Sequence, residues 1–133
     1  MSAGPALRLD NPLLEHLGIR LVEWRPGRCA LALALEARHL NRQASLQGGV
    51  TATLLDAACG YAGLMTQGDE APVNALTLTL SVSYLARASR GEVQARGRVT
   101  GGGRRVYFAS AELVDDDGAV IATAQGAFRR QSN

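Results

Sequence analysis

The chain has 133 residues, 47% of them hydrophobic and 20% charged, with a formal net charge of +2. That composition suits one soluble domain over residues 1–133 with a real hydrophobic core, and so small a net charge argues against broad nucleic-acid binding. No apolar run reaches the ~20 residues needed to span a bilayer, and the N-terminus lacks the apolar stretch of a signal peptide, so the expected location is the cytoplasm, with no membrane partner.

In chain order, Asn11 to His16 reads as a short helical turn, with Asn11 as cap and Pro12 at the first position. Ile19 to Trp24 and Arg28 to Glu36 read as two strands joined at Pro26-Gly27 into a hairpin. Ala37 to Gln47 is a polar loop. Gly49 to Thr66 then reads as one helix roughly 27 Å long, rich in helix formers and expected to be buried on nearly all sides. Gln67 to Pro72 is a charged connection. Beyond it, Leu76, Leu78, Leu80, Val82 and Tyr84 alternate with Thr77, Thr79, Ser81 and Ser83, a period of two that predicts a strand. Ala88 to Gly91 reads as a turn. Glu92 to Thr100, Arg105 to Val114 and Ala119 to Arg129 are three further strands, turning at Gly101 to Gly103 and at Asp116 to Gly118. Residues 131–133 are a tail. The last four strands are expected to form an antiparallel meander. The expected architecture is α+β, a curved antiparallel six-stranded sheet wrapped around one long central helix.

The helix carries the candidate chemistry. Gly49, Thr53, Asp56, Gly60 and Gly63 recur at steps of four and three, so one face is small or polar with a single carboxylate. Gly48 and Gly49 expose backbone N–H groups at the helix start, where a phosphate or a developing oxyanion can be held. The same glycines also suit a plain loop-to-helix corner. Asp56 lies eight residues past Gly48, about 12 Å along the axis. One chain cannot bring both to the same carbonyl, but a symmetric dimer can. A hydrogen-bonded structural aspartate is the alternative.

Other signatures are absent from the sequence: no Walker A, Rossmann, HExxH or GxSxG pattern occurs. The two histidines and two cysteines do not build a metal site, and no cofactor is expected. Cys29 and Cys59 read as buried free thiols, with a disulfide as the less favoured alternative.

At Asn41, Gly48-Gly49 and Thr51 to Asp56 the chain resembles the hotdog-fold acyl-CoA thioesterases of the PaaI-like, phenylacetate-degradation branch. That family's signature runs from an Asn through a Gly to His-Gly-Gly and a helix bearing Asp or Glu. Tyr84 to Glu92 looks like the family's strand end and turn, and the resemblance covers about residues 11–130. Two positions depart from the pattern: Gln47 stands where many members have His, and Ala44 where many have Gly, so a different loop backbone is expected there.

The resemblance implies a hotdog fold and hydrolysis of an acyl-CoA thioester, with a homodimer as minimal active unit within a homotetramer. It implies that the Gly48 N–H polarises the thioester carbonyl, assisted by Asn41 or Gln47. Asp56 of the partner subunit would serve as general base or nucleophile, with Thr77 holding the water. Thr77 also fits an ordinary exposed strand threonine. Gly49 would line the substrate, and Arg87, Arg90, Arg104 and Arg105 are candidates for the CoA phosphates, though each also fits a solvated surface residue. A dehydratase or hydratase of the same fold, using His39, and a non-catalytic acyl-CoA sensor are the competing expectations.

Overall fold

The computed structural model describes residues 9–65 and 74–131. The connection expected over 67–72, the helix end expected at residue 66 and tail residues 132 and 133 lie outside them. The elements run α1 (Pro12–Leu17), β1 (Arg20–Arg25), β2 (Arg28–Ala34), a 3-10 turn (Ala37–His39), α2 (Gly48–Ala62), β3 (Asn74–Tyr84), β4 (Glu92–Gly102), β5 (Val106–Val114) and β6 (Val120–Gln131). Asn11 caps α1 by accepting the Leu14 N–H at 3.3 Å, and Gly18 closes the helix at φ 84°. None of the described helices is long and apolar enough to cross a membrane.

All six strands form one antiparallel sheet in the order β1-β2-β4-β5-β6-β3. The β1–β2 hairpin and the β4–β5–β6 meander are those expected. β3 is not part of that meander. It pairs with β6 at the far edge, so the chain from Tyr84 to Glu92 crosses between distant strands instead of making a hairpin. A turn-like composition specifies where a strand stops, and leaves open which strand the next one joins.

The sheet does not wrap around the helix, and that expectation is corrected. The sheet is an open layer whose outer strands, β1 and β3, do not pair with one another, and α2 lies on one face only. The reason is visible on α2. Its buried residues are Thr51, Leu54, Leu55, Ala58, Cys59 and Ala62, a single stripe that needs cover from one side. Gly49 on the opposite face is exposed, and Thr53, Asp56 and Gly60 are half-exposed, so the helix is not buried all round as its composition suggested.

The stripe packs onto Leu31, Leu33, Val93, Ala95, Tyr107, Leu113 and Phe128. At the C-terminal end of α2, side chains add donors to the last carbonyls of the helix and its cap. The Tyr107 hydroxyl donates to the Gly60 carbonyl at 2.5 Å, the Trp24 Nε1–H to Tyr61 at 2.7 Å, and the Arg130 Nε–H to Gly63 at 2.8 Å. The Arg130 guanidinium also lies 4.4 Å from the centre of the Tyr107 ring, and its positive charge suits a helix C-terminus.

Cys29 and Cys59 are both buried and free. Burial pushes each thiol from its ordinary 9.0 up to about 12, with Glu23 and Cys59 adding to the effect at Cys29 and Asp56 at Cys59. In an unfolded chain these thiols ionise near pH 9, so their contribution to stability is complete below that pH and is lost as pH rises toward 12. Each thiol is expected to cost about 1.4 kcal/mol of stability per pH unit in that window. Urea midpoints measured from pH 8 to pH 10.5 should fall more steeply for the parent than for a variant with both Cys29→Ala and Cys59→Ala.

Candidate active site

Asp56 sits mid-helix on the open face of α2, and its Oδ1 accepts a hydrogen bond from the Thr77 hydroxyl at 2.8 Å. The contact depends on an irregularity in β3. Thr77 pairs with Phe128 but Thr79 pairs with Ala127, so Leu78 is an extra, bulged residue. Strict alternation would put Thr77 on the outer face with Thr79, Ser81 and Ser83. The bulge turns it to the face of the fully buried Phe128, where α2 lies. The two residues line an open cleft of about 780 Å³ together with Trp24, Gly60, Tyr61 and Phe128. Burial is the main cause raising the Tyr61 hydroxyl above its ordinary range, and a hydrogen bond with Asn11 works against it.

The other predicted residues lie at the start of α2. Gln47 is the N-cap, and its side-chain oxygen accepts the Gly48 N–H at 3.1 Å. The candidate carbonyl-polarising donor is therefore held by a neutral oxygen acceptor, the same chemistry a thioester carbonyl would present. The Gly48 carbonyl accepts from the Tyr84 hydroxyl at 2.8 Å, which ties the helix start to the end of β3. Gly49 is exposed, and a methyl group placed there would meet nothing within 4 Å. Asn41 shapes the preceding loop, its side-chain oxygen accepting from the N–H groups of Gln43 at 2.9 Å and Ser45 at 3.1 Å. Asn41 and Gln47 line a depression that shares no residue with the Asp56 cleft. Within one chain the predicted site residues thus fall into two groups, Asn41–Gln47–Gly48 and Asp56–Thr77.

The four candidate arginines divide likewise. Arg87 donates to the Gln43 side chain at 3.0 Å, and Ala88 accepts the Leu46 N–H, so Arg87 accompanies the start of α2, while Arg90 precedes Gly91, whose carbonyl accepts the Leu35 N–H just past β2. Arg104 and Arg105 stand on the β4–β5 tip, whose Gly103 and Arg104 carbonyls are bound by the same Arg130 that reaches Gly63 past the helix end.

His39 is not available to substrate. It is fully buried, its Nδ1 accepts the Glu36 N–H at 2.9 Å, and its Nε2 lies 2.7 Å from the Leu17 carbonyl. A backbone N–H can only donate, so Nδ1 must accept and Nε2 carry the proton toward Leu17. Its role is to fasten α1 to the loop. Among the described residues no three His, Cys, Asp or Glu side chains group as metal ligands.

The Thioesterase superfamily profile matches residues 44–122, more than half of the chain, a span that includes Gln47, Gly48, Asp56 and Thr77 and begins three residues after Asn41. The chain belongs to the thioesterase superfamily. Membership makes it a hydrolase in broad class, and its fold is the hotdog fold of the PaaI-like proteins. A Pseudomonas aeruginosa relative carrying a provisional esterase name is 32% identical, over 90% of this chain and 88% of its own length. Human acyl-coenzyme A thioesterase 13 is 30% identical over 73% of this chain and 68% of its own. The solved structure of the Escherichia coli PaaI protein superposes with a TM-score of 0.83 at 22% identity, covering 93% of this chain and 87% of that one, a likeness of fold.

Sequence reasoning missed Tyr84 as the anchor of the helix start, and Trp24, Tyr61 and Phe128 as walls of the Asp56 cleft. Gly60, which shares the Asp56 face, was legible from its helical spacing, whereas Trp24 and Phe128 reach the cleft from other strands and Tyr61 stands five residues beyond Asp56.

Ala44, where the thioesterase pattern often has glycine, adopts φ 59°, the described non-glycine residue with a positive φ. The loop therefore keeps a backbone that glycine favours and alanine resists. Ala44→Gly should stabilise the protein by about 0.5–1 kcal/mol, once the extra freedom of glycine in the unfolded chain is counted. A rise in the midpoint of chemical denaturation without a change in its slope checks this.

Proposed function

We propose that this protein hydrolyses an acyl-CoA thioester to the free acid and CoA, with Asp56 as the essential carboxylate. The observation that carries the proposal is the Thr77–Asp56 hydrogen bond, which fixes a half-exposed carboxylate at the wall of an open cleft. As general base, Asp56 takes a proton from water as the water oxygen attacks the carbonyl carbon. The tetrahedral intermediate then expels the CoA thiolate, which leaves with a proton. As nucleophile, Asp56 would instead attack the carbonyl carbon, the C–S bond breaking to release the CoA thiolate and leave an acyl anhydride that water cleaves back to the carboxylate and the free acid. Thr77 holds the carboxylate in position in either case.

The developing oxyanion needs a donor, and the Gly48 N–H is about 12 Å along the helix from Asp56 of the same chain. A homodimer removes this difficulty by setting Gly48 of the partner subunit against Asp56. Exposed apolar residues on edge strand β3 support that reading: Leu76 and Leu78 are 51% and 50% accessible on the strand that carries Thr77. Two such dimers would form the homotetramer. In the shared site, Arg87 and Arg90 of the partner subunit would come with its Gly48, and Arg104 and Arg105 would approach from the other end of α2. The name of the human relative supports CoA as the thiol part of the substrate.

Purified protein and a panel of acyl-CoAs in a thiol-release assay test the reaction. Asp56→Asn should lower kcat by at least a hundredfold, within the range of acid–base and nucleophilic roles. Thr77→Val should lower it by roughly tenfold, the loss of about one hydrogen bond to a charged group. An Asp56→Asn protein as active as the parent sinks the assigned mechanism. Tight acyl-CoA binding without turnover across the panel would favour a sensor instead.

A further inference from the structure

The face of the sheet turned away from α2 carries a charge pattern that the thioester chemistry does not use. Ala95 packs into the core and Gly97 meets the Ala58 carbonyl of α2, so Arg96 and Arg98 stand on the opposite face of β4. The strand register then sets Arg25 of β1, Arg28 of β2 and Arg98 of β4 directly across from one another. Adjacent strands lie about 4.8 Å apart, and like charges facing each other at that spacing destabilise a sheet.

Carboxylates of the chain give little relief. Glu23 lies 3.7 Å from Arg25. Glu112 is directly across from Arg96, yet Arg96 turns to Gln94 instead, its Nε–H donating to the amide oxygen at 2.6 Å. Among the described residues, Arg28, Arg96 and Arg98 have no carboxylate within ion-pair distance, and all three are exposed. Water and salt screen such a row enough for the fold to tolerate it, and the guanidinium groups keep their capacity for an anion.

The neighbouring strands give the patch the shape of a receptor. Where β2 and β4 carry these long side chains, the other strands carry short hydroxyls, Ser110 on β5, Thr123 on β6, and Ser81 and Ser83 on β3. The step between long and short side chains leaves an open depression of about 520 Å³. That volume lies within the roughly 300–1,000 Å³ of small-ligand sites. Among the described residues that line it none is aromatic, so a nucleotide base has no ring to stack on.

We propose that this outer face binds a phosphorylated polyol, a sugar bisphosphate in chemical class. Arg28, Arg96 and Arg98 take the phosphate groups, whose oxygens match the planar guanidinium fork. Ser110 and Thr123 bond the hydroxyl groups. Glu112 repels a phosphate and accepts from a hydroxyl, so the phosphates lie over β2 and β4 and the hydroxyls over β5 and β6. The site is separated from Asp56 by the thickness of the sheet, and its occupancy is independent of turnover.

Calorimetric titration of the full chain with fructose 1,6-bisphosphate at low salt tests this. The sugar bisphosphate should bind saturably, with pyrophosphate and ADP at least tenfold weaker. A variant with both Arg28→Gln and Arg98→Gln should bind it at least tenfold more weakly, having lost charged contacts to phosphate. Thr123→Val should weaken the sugar bisphosphate severalfold and leave pyrophosphate unchanged. The double arginine variant should keep or raise its Tm, because a like-charge opposition is gone, so lost binding there is not lost folding.

Pyrophosphate or ADP binding as tightly as the sugar bisphosphate overturns the polyol assignment. Absence of saturable heat from fructose 1,6-bisphosphate, or binding that survives the double substitution, overturns the site. A lower subunit count for the double variant in light scattering makes this face an interface between copies of the chain and equally overturns it.

Discussion

A methyl group at Gly97 would stand 2.2 Å from the Ala58 carbonyl oxygen, so α2 can lie against the backbone of β4 only because that strand residue has no side chain. This contact sets the depth and rotation of the helix on the sheet. With Ala58 turned down onto β4, Leu54, Leu55, Cys59 and Ala62 share the buried stripe, and the face bearing Asp56 must turn away from the sheet's centre. The Tyr107, Trp24 and Arg130 donors then hold the helix end where the stripe places it. The orientation of the candidate carboxylate is a consequence of close packing several strands away.

Seating the helix does not by itself give Asp56 a partner. The nearest strand, β3, has a regular alternation that would turn Thr77 away from α2. The single extra residue at Leu78 reverses that orientation for everything on the N-terminal side of the bulge. Room for the distortion comes from Gly126 on β6, where an added methyl would lie 2.4 Å from the Thr79 carbonyl oxygen. The hydrogen bond at the site therefore depends on two residues, Leu78 and Gly126, that do not line the Asp56 cleft. Fixing the carboxylate before anything binds avoids the cost of ordering it later, which is how a scaffold contributes to catalysis.

Much of this was legible in the sequence, and what was not has physical causes. The strands, their turns, the helix and its carboxylate follow from periodicity and breakers, which are local. The position of β3 beside β6 is a matter of pairing partners, and nothing local in Leu85 to Gly91 distinguishes a crossover from a turn. The expected wrapping of the sheet came from counting apolar residues on α2, yet alanine and glycine supply little area to bury and a single stripe satisfied the core. The bulge was hidden because Thr77, Thr79, Ser81 and Ser83 keep a perfect alternation of residue type through a backbone that does not alternate. Gly126, alone inside the last strand, was the available signal. His39 read as a possible catalytic group because its burial, with both ring nitrogens engaged, is a tertiary property.

The two groups of site residues are also two kinds of chemistry held by two kinds of support. Gly48 offers a backbone N–H at a helix start, a donor whose direction is fixed by the helix and whose place is set by the Tyr84 hydroxyl on the Gly48 carbonyl. Asp56 offers a carboxylate in mid-helix, where the partial charges of the helix ends give no help and a side-chain donor such as Thr77 must do the orienting. Tyr84 and Thr77 lie at opposite ends of the same strand, so β3 fixes both groups at once along the length of α2. Because helix and strand are each rigid, the separation of donor and carboxylate is rigid too. A chain built this way cannot close on one carbonyl by flexing. Under the proposed mechanism, a second copy of the same pair, running in the opposite direction, would bring donor and carboxylate together.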